Sequence, residues 1–173
     1  KPCKNVDKRI SETDQVYRAN LTYRVNDDVM IYGTWSEGYR PGGINRKPDA
    51  GEYVSDFLTN YEFGWKSVLQ DGRLRFNGSV FMVDISGLQT TIFDPSIANL
   101  FFSDNAADAE ITGLEGDFTY YPNVDGLMIS GAFSMLDTEI TKSLTTADVV
   151  AGNDLAFAPA MQGNIAIRKE WGM

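Results

Sequence analysis

The chain has 173 residues, 43% of them hydrophobic, with a net charge of -9, one cysteine and no histidine. The lack of histidine disfavours zinc sites and the Ser-His-Asp and Cys-His catalytic arrangements. The acidic balance disfavours nucleic acid, whose phosphates need clustered lysine and arginine. We therefore expect no enzyme, no cofactor and no nucleic-acid partner.

The first residues indicate a segment of a longer protein. There is no initiator methionine, and Lys1 to Asn5 lack the apolar core of a signal peptide. Cys3 is either an inert thiol or has a partner outside this segment. No run of about 18 apolar residues is present, which excludes a transmembrane helix. A membrane barrel stays open, because its strands alternate apolar with polar residues.

Two strands and a long loop are predicted at the beginning of the chain. Residues 11–25 alternate apolar with polar side chains, which is typical of a strand with two unlike faces. Asn26-Asp27-Asp28 predicts a tight turn, and residues 29–40 a second strand. Proline and paired glycines then end the strand, so residues 41–53 are predicted to form a long loop.

The same arrangement continues to the end of the chain. Further strands are predicted at 54–69, 74–91, 105–121, 126–141 and 155–171. Short turns at 70–73 and 122–125 alternate with long loops at 92–104 and 142–154. The second of the three long loops contains the exposed-looking pair Phe101-Phe102. The prediction is an all-β, antiparallel up-and-down meander of about seven long strands.

Three features favour an arc of a large transmembrane β-barrel over a soluble sandwich. The strands exceed the ~5–6 residues of ordinary sheets and suit the ~9–11 residues of a tilted bilayer crossing. All short turns lie at one end of the sheet and all long loops at the other. Tyrosine and tryptophan lie mostly toward strand ends, as in membrane girdles. About seven strands could only just close on their own, and bacterial single-chain barrels have even strand numbers, so we expect an arc of a larger barrel. A soluble sandwich remains the alternative and predicts a monomer that dissolves without detergent.

One face of the predicted strands carries charges that would cost ~2–4 kcal/mol each at the bilayer midplane. We therefore expect them to line a wet interior and to form pairs of opposite sign across neighbouring strands. The predicted lumen-wall residues are Arg18, Arg24, Glu62, Lys66, Arg75, Glu115 and Asp117. The competing interpretation is the solvated outer face of a soluble sheet.

Five phrases in order carry a family resemblance. They are VMIY with SEGYRPGG (29–43), NYEFGWKS (60–67), DGRLRFN (71–77), VFMVDISGLQ (80–89), and NAA with ITGLE (105–115). Together they resemble the later-middle part of the barrel of a TonB-dependent outer-membrane receptor. The turn pattern extends the resemblance to almost the whole chain.

The resemblance implies a plugged barrel of the 22-strand class in the bacterial outer membrane. It implies TonB-dependent uptake of a scarce, bulky solute such as an iron chelate, cobalamin or an oligosaccharide. The implied partners are outer-membrane lipid, a small-molecule solute and TonB, the last through a part outside this segment. We expect residues 1–173 to be a partial barrel that lacks the plug domain, the TonB box and the terminal strand.

Solute contacts in such a receptor would come from the outer loops and the upper lumen. An arginine suits an anionic group, and aromatic rings stack on rings or sugars. The candidate contacts are Arg40, Asn45, Arg46, Phe93, Phe101 and Phe102. The alternative for each is a solvated or girdle position. At the level of the whole protein, the main rival function is a non-transport barrel with a structural or adhesive role. An outer-membrane phospholipase is a weaker rival, because the segment has no histidine base.

Overall fold

The computed structural model describes residues 7–45, 50–95, 98–145 and 149–171. Its strands are β1 (Arg18–Arg24), β2 (Val29–Arg40), β3 (Gly43–Ile44), β4 (Glu52–Tyr53), β5 (Asp56–Leu69), β6 (Leu74–Asp94), β7 (Ala98–Tyr120), β8 (Leu127–Ser143) and β9 (Met161–Lys169). Seven of them form one sheet in the order β1-β2-β5-β6-β7-β8-β9, and β3 pairs with β4 alone. No helix in these ranges is long and apolar enough to cross a membrane.

The predicted antiparallel meander is confirmed. Every neighbouring pair in the large sheet is antiparallel and follows chain order, with β3 and β4 set aside in the connection from β2 to β5. The turn between β5 and β6 has Gln70, Asp71 and Gly72 at positive φ, the conformation of a tight hairpin turn whose twist matches that of the strands. Arg73 closes this turn by donating its N–H to the carbonyl of Gln70. The tight connections lie at one end of the sheet and the connections at 40–56 and 143–161 at the other.

The register gathers apolar side chains on one face, here called the apolar face. Its central row crosses the sheet through Leu21, Gly33, Phe63, Val80, Leu114, Met135 and Met161. These side chains are not covered by the chain itself: Leu21 is 78% exposed and Phe63 is 50% exposed. An apolar surface of this extent marks contact with lipid or with another apolar partner.

The opposite surface of the sheet carries mostly polar side chains and is here called the polar face. One of its rows runs through Thr22, Tyr32, Gly64, Ser79, Glu115, Ser134 and Gln162. Successive side chains of a strand point to opposite faces, so one register produces both surfaces. Apart from the short β3–β4 pair, the described residues form a single layer. The sandwich alternative is therefore wrong, since two packed sheets would bury one face of each.

Aromatic rings lie directly over glycines of the neighbouring strand. The registered pairs are Tyr32 with Gly64, Trp65 with Gly78, Phe81 with Gly113, Phe133 with Gly116, and Phe118 with Gly131. A methyl group at any of these five glycines would overlap the ring. Such ring-over-glycine pairs hold a strand register and cover the bare backbone of the glycine.

The predicted loop at 92–104 is wrong. β6 continues to Asp94 and β7 begins at Ala98, so these segments form a two-stranded ribbon that runs past the rest of the sheet. Register shifts occur between Ile85 and Gln89, and Gly87 lies at positive φ. Because such irregularities break the period of two, they hide the strand from a pattern search. The strand predicted at 155–171 is shorter and spans Met161–Lys169, and the first strand begins only at Arg18.

Candidate functional site

All seven predicted lumen-wall residues lie on the polar face. Arg24 opposes Met30, which opposes Lys66, and the same row continues through Asn77 to Asp117. On each strand, the remaining predicted residues lie an even number of positions away from a member of this row and therefore point to the same face. They are Arg18, Glu62, Arg75 and Glu115. The alternation along each strand was therefore sufficient to place them.

The predicted ion pairs between these residues are wrong. In the described ranges, no salt bridge joins two of the seven. The carboxylates accept hydrogen bonds from neutral neighbours instead: Tyr32 donates to Glu62 at 2.6 Å, and Ser79 donates to Glu115 at 3.2 Å. The register is the reason, because it sets Lys66 opposite Asn77 and Met30 rather than opposite a carboxylate.

Glu62, Glu115 and Asp117 have no salt-bridge partner among the described residues. Asp117 accepts a hydrogen bond from Asn77 at 3.1 Å, again from a neutral donor. Carboxylates on a surface suit cationic or hydrogen-bond-donating groups of a molecule that packs against that surface. Among the described residues, no group of three acidic, histidine or cysteine side chains could hold a metal ion.

The second candidate region is residues 88–94 paired with 98–107, here called the outer ribbon. It lies at the long-connection end of the sheet, here called the outer end because the family resemblance predicts that the long loops face outward. Phe93 and Phe101 are directly registered, with ring centroids 5.4 Å apart, and are 46% and 73% exposed. Phe102 points the other way and is 6% exposed, packed with Ile92 and Ala106. The predicted exposed pair Phe101-Phe102 is thus wrong for Phe102, because consecutive residues of a strand face opposite sides.

Arg40 and Asn45 lie near the ribbon but bind protein groups. The guanidinium of Arg40 donates to Asp56, with 3.1 Å between Nε and Oδ2, and to the carbonyl of Gln89 at 2.7 Å. Its side chain still has 54% of its surface exposed. Asn45 is 9% exposed and binds the backbone of Ser103. Two residues of the sequence analysis, Arg46 and Cys3, lie outside the described residues.

Three polar residues on or beside the ribbon were not among the predicted site residues: Asp56, Gln89 and Asn105. Asp56 is 7% exposed and is the register partner of Arg40. The opposite charges at the end of β2 and the beginning of β5 were the signal that would have found this pair. Gln89 and Asn105 both donate to the carbonyl of Val54, which lies 35 and 51 residues away from them in the chain. Contacts over such separations leave no pattern in the sequence.

Glu12 joins the chain before β1 to the same region. Its carboxylate accepts hydrogen bonds from the hydroxyl of Ser55 and the N–H of Gly42. The Ser55 hydrogen bond and then the Gly42 hydrogen bond hold the pKa of Glu12 below its usual value of 4.5. The outer end therefore has a pair of hydrogen bonds whose strength depends on the ionisation of one carboxyl group, that of Glu12.

A single-layer meander with one apolar and one polar face is the arrangement typical of the wall of a transmembrane β-barrel. The family model for the TonB dependent receptor-like β-barrel matches residues 4–172. The chain belongs to this family, and it is an arc of such a barrel.

Known relatives agree with this assignment. The pesticin receptor of Yersinia enterocolitica is 26% identical over 164 residues, which cover 88% of this chain and 22% of the relative. The ferric yersiniabactin uptake receptor FyuA of Yersinia pestis superposes with a TM-score of 0.67 at 20% identity, covering 87% of this chain and 22% of that one. The siderophore receptor PiuA of Acinetobacter baumannii gives 0.66 at 19% identity, with 87% and 23% covered. The chain spans about a fifth of the length of these relatives.

Proposed function

We propose that this chain is part of the barrel of an outer-membrane transporter that takes up an iron chelate by TonB-dependent transport. The observation that carries the proposal is the two-faced single sheet in a chain of this family. The apolar face would contact outer-membrane lipid, and the polar face would line the lumen. The plug domain and the segment that engages TonB would lie in other parts of the protein.

The relatives favour an iron chelate over cobalamin or an oligosaccharide. FyuA is named for the uptake of ferric yersiniabactin, and PiuA is named a siderophore receptor. Ferric siderophores are bulky and carry rings, carboxylates or hydroxamates, which suit aromatic and arginine contacts.

At the outer end, Phe93 and Phe101 are the proposed solute contacts with the best access, and the exposed part of Arg40 could reach an anionic group. Arg46 stays a candidate contact from the sequence. Phe102 and Asn45 are buried, so they would influence the solute only through their neighbours.

Growth and uptake test the proposal. A strain that lacks the complete gene should fail to grow on ferric siderophores, including ferric yersiniabactin, as its sole iron source, and the restored gene should rescue it. Uptake of radioactive ferric siderophore should require both TonB and the proton gradient. Unchanged growth on every chelate, together with a loss of cell adhesion or envelope integrity, would support the structural or adhesive alternative instead.

A further inference from the structure

The outer ribbon extends beyond the sheet that should support it. The pairing of β6 with β5 ends at Ser86, whereas its pairing with β7 continues to Asp94. The pairing of β7 with β8 ends at Ala107. An isolated two-stranded hairpin is marginal in water, so the ribbon needs support from other groups.

Asn45, in the connection between β2 and β5, supplies one such support. Its Nδ2 donates to the carbonyl of Ser103 at 2.8 Å, and its Oδ1 accepts from the N–H of Ser103 at 3.0 Å. One carboxamide therefore forms both hydrogen bonds that a residue of a neighbouring strand would form. The side chain is 9% exposed, so water competes little for these bonds.

Asn105, on the ribbon, forms the reciprocal pair of hydrogen bonds: its side chain binds the backbone of Val54 in the β2–β5 connection. Its Oδ1 accepts from the N–H of Val54 at 2.8 Å, and its Nδ2 donates to the carbonyl of Val54 at 2.9 Å. The loop thus binds the ribbon through Asn45, and the ribbon binds the loop through Asn105. Ala50, which lies between Asn45 and Val54 in the sequence, packs on the buried cluster of Ile92 and Phe102. Each of these two asparagine–backbone pairs is here called a fastening.

We propose that Asn45 and Asn105 are reciprocal positioning residues that lock the described parts of the β2–β5 connection, residues 41–45 and 50–55, and the outer ribbon into one unit. The unit holds the exposed edge formed by Phe93 and Phe101 in a single position at the outer end. That this edge contacts the solute rests on the proposed function, whereas the locking does not.

Asn45→Asp and Asn105→Asp test the locking in the complete protein. Each keeps the size of the side chain and the acceptor but loses the donor, and sets a carboxylate against a carbonyl oxygen. Thr91→Asp is the matched control, because Thr91 is exposed on the same ribbon opposite Ser103 and its substitution adds the same charge without removing either fastening. Folding of each variant is checked by the heat-dependent gel mobility of the barrel.

The decisive readout is the distance between spin labels attached to cysteines introduced at Glu52 in β4 and Thr90 on the ribbon, in a background in which Cys3 and any other native cysteine of the complete protein are replaced by serine. The parent protein and Thr91→Asp should give one narrow distance distribution, and each asparagine variant a distribution about twice as wide. Equal widths in all four proteins, with folded barrels, would overturn the locking.

Uptake of ferric yersiniabactin then tests the positioning role. Each asparagine variant should raise KM by about tenfold, the scale of one buried hydrogen bond, and leave the maximal rate nearly unchanged. A wider distance distribution with an unchanged KM would overturn the positioning role. If the parent protein transports no ferric chelate, the proposed function fails, and the distance measurement still decides the locking.

Discussion

The body of the sheet and its outer end are stabilised in different ways. In the body, both faces of one layer are open, and the strands are joined by backbone ladders and ring-over-glycine pairs. At the outer end, the chain has a small buried cluster of Ile92, Phe102 and Ala106, with side chains bound to backbone groups. The body therefore needs an apolar environment against its apolar face, whereas the outer end is stabilised by contacts between its own residues.

The largest expected effect tests the dependence of the body on lipid. Leu21→Arg places a charge in the central row of the apolar face and should lower the free energy of unfolding by ~2–4 kcal/mol in bilayers. Thr22→Arg, one residue further on and on the polar face, should change it little. Denaturant titration of the complete protein in liposomes measures both. Equal losses would show that the apolar face does not contact lipid.

Overpacking a ring-over-glycine pair should have the next largest effect. Gly113→Ala forces a methyl group into the ring of Phe81 and should cost ~1–3 kcal/mol of unfolding free energy. Gly38→Ala is the control, because a methyl group there meets nothing within 4 Å. It should be neutral or slightly stabilising, since alanine restricts the unfolded chain. The same titration compares the two, and a tolerated Gly113→Ala would mean that the ring moves freely.

A hydrogen bond of the polar face gives a smaller effect. Tyr32→Phe removes the donor at 2.6 Å from Glu62 and should cost ~1 kcal/mol, the typical net contribution of one hydrogen bond to stability. Tyr61→Phe, on the apolar face and 50% exposed, should cost less. If both substitutions cost the same, the carboxylate of Glu62 has another donor in the complete barrel.

The smallest effect concerns pH and is confined to the outer end. Because folding lowers the pKa of Glu12 below 4.5, its pair of hydrogen bonds is complete above that pH and is lost as the pH falls through the lower folded value. Hydrogen exchange at the amide of Gly42, corrected for the intrinsic rate, should therefore rise on the acidic side of 4.5. In Glu12→Gln the protection should be independent of pH in this range. A rise of equal size in both proteins would assign the pH dependence to another group.

The pattern of side chains was sufficient for the body of the sheet and insufficient for the outer end. Period-two alternation placed Arg24, Lys66 and Asp117 on one face, because each strand of the body runs without a shift across that region. It failed from Ile92 onward, where the predicted loop is a paired ribbon that follows the register shifts between Ile85 and Gln89. The polar partners were also missed, since Asn45 and Ser103 are 58 residues apart and no local pattern links them.

By itself, the sequence determined the strands, the order of tight turns and long connections, and the two unlike faces. These follow from local periodicity and turn chemistry, which each segment carries alone. Only the tertiary structure decided which groups meet: neutral donors rather than cations beside Glu62 and Glu115, and asparagines in place of a missing neighbouring strand. The reason is that register and loop packing depend on residues far apart in the chain, so that no segment contains them.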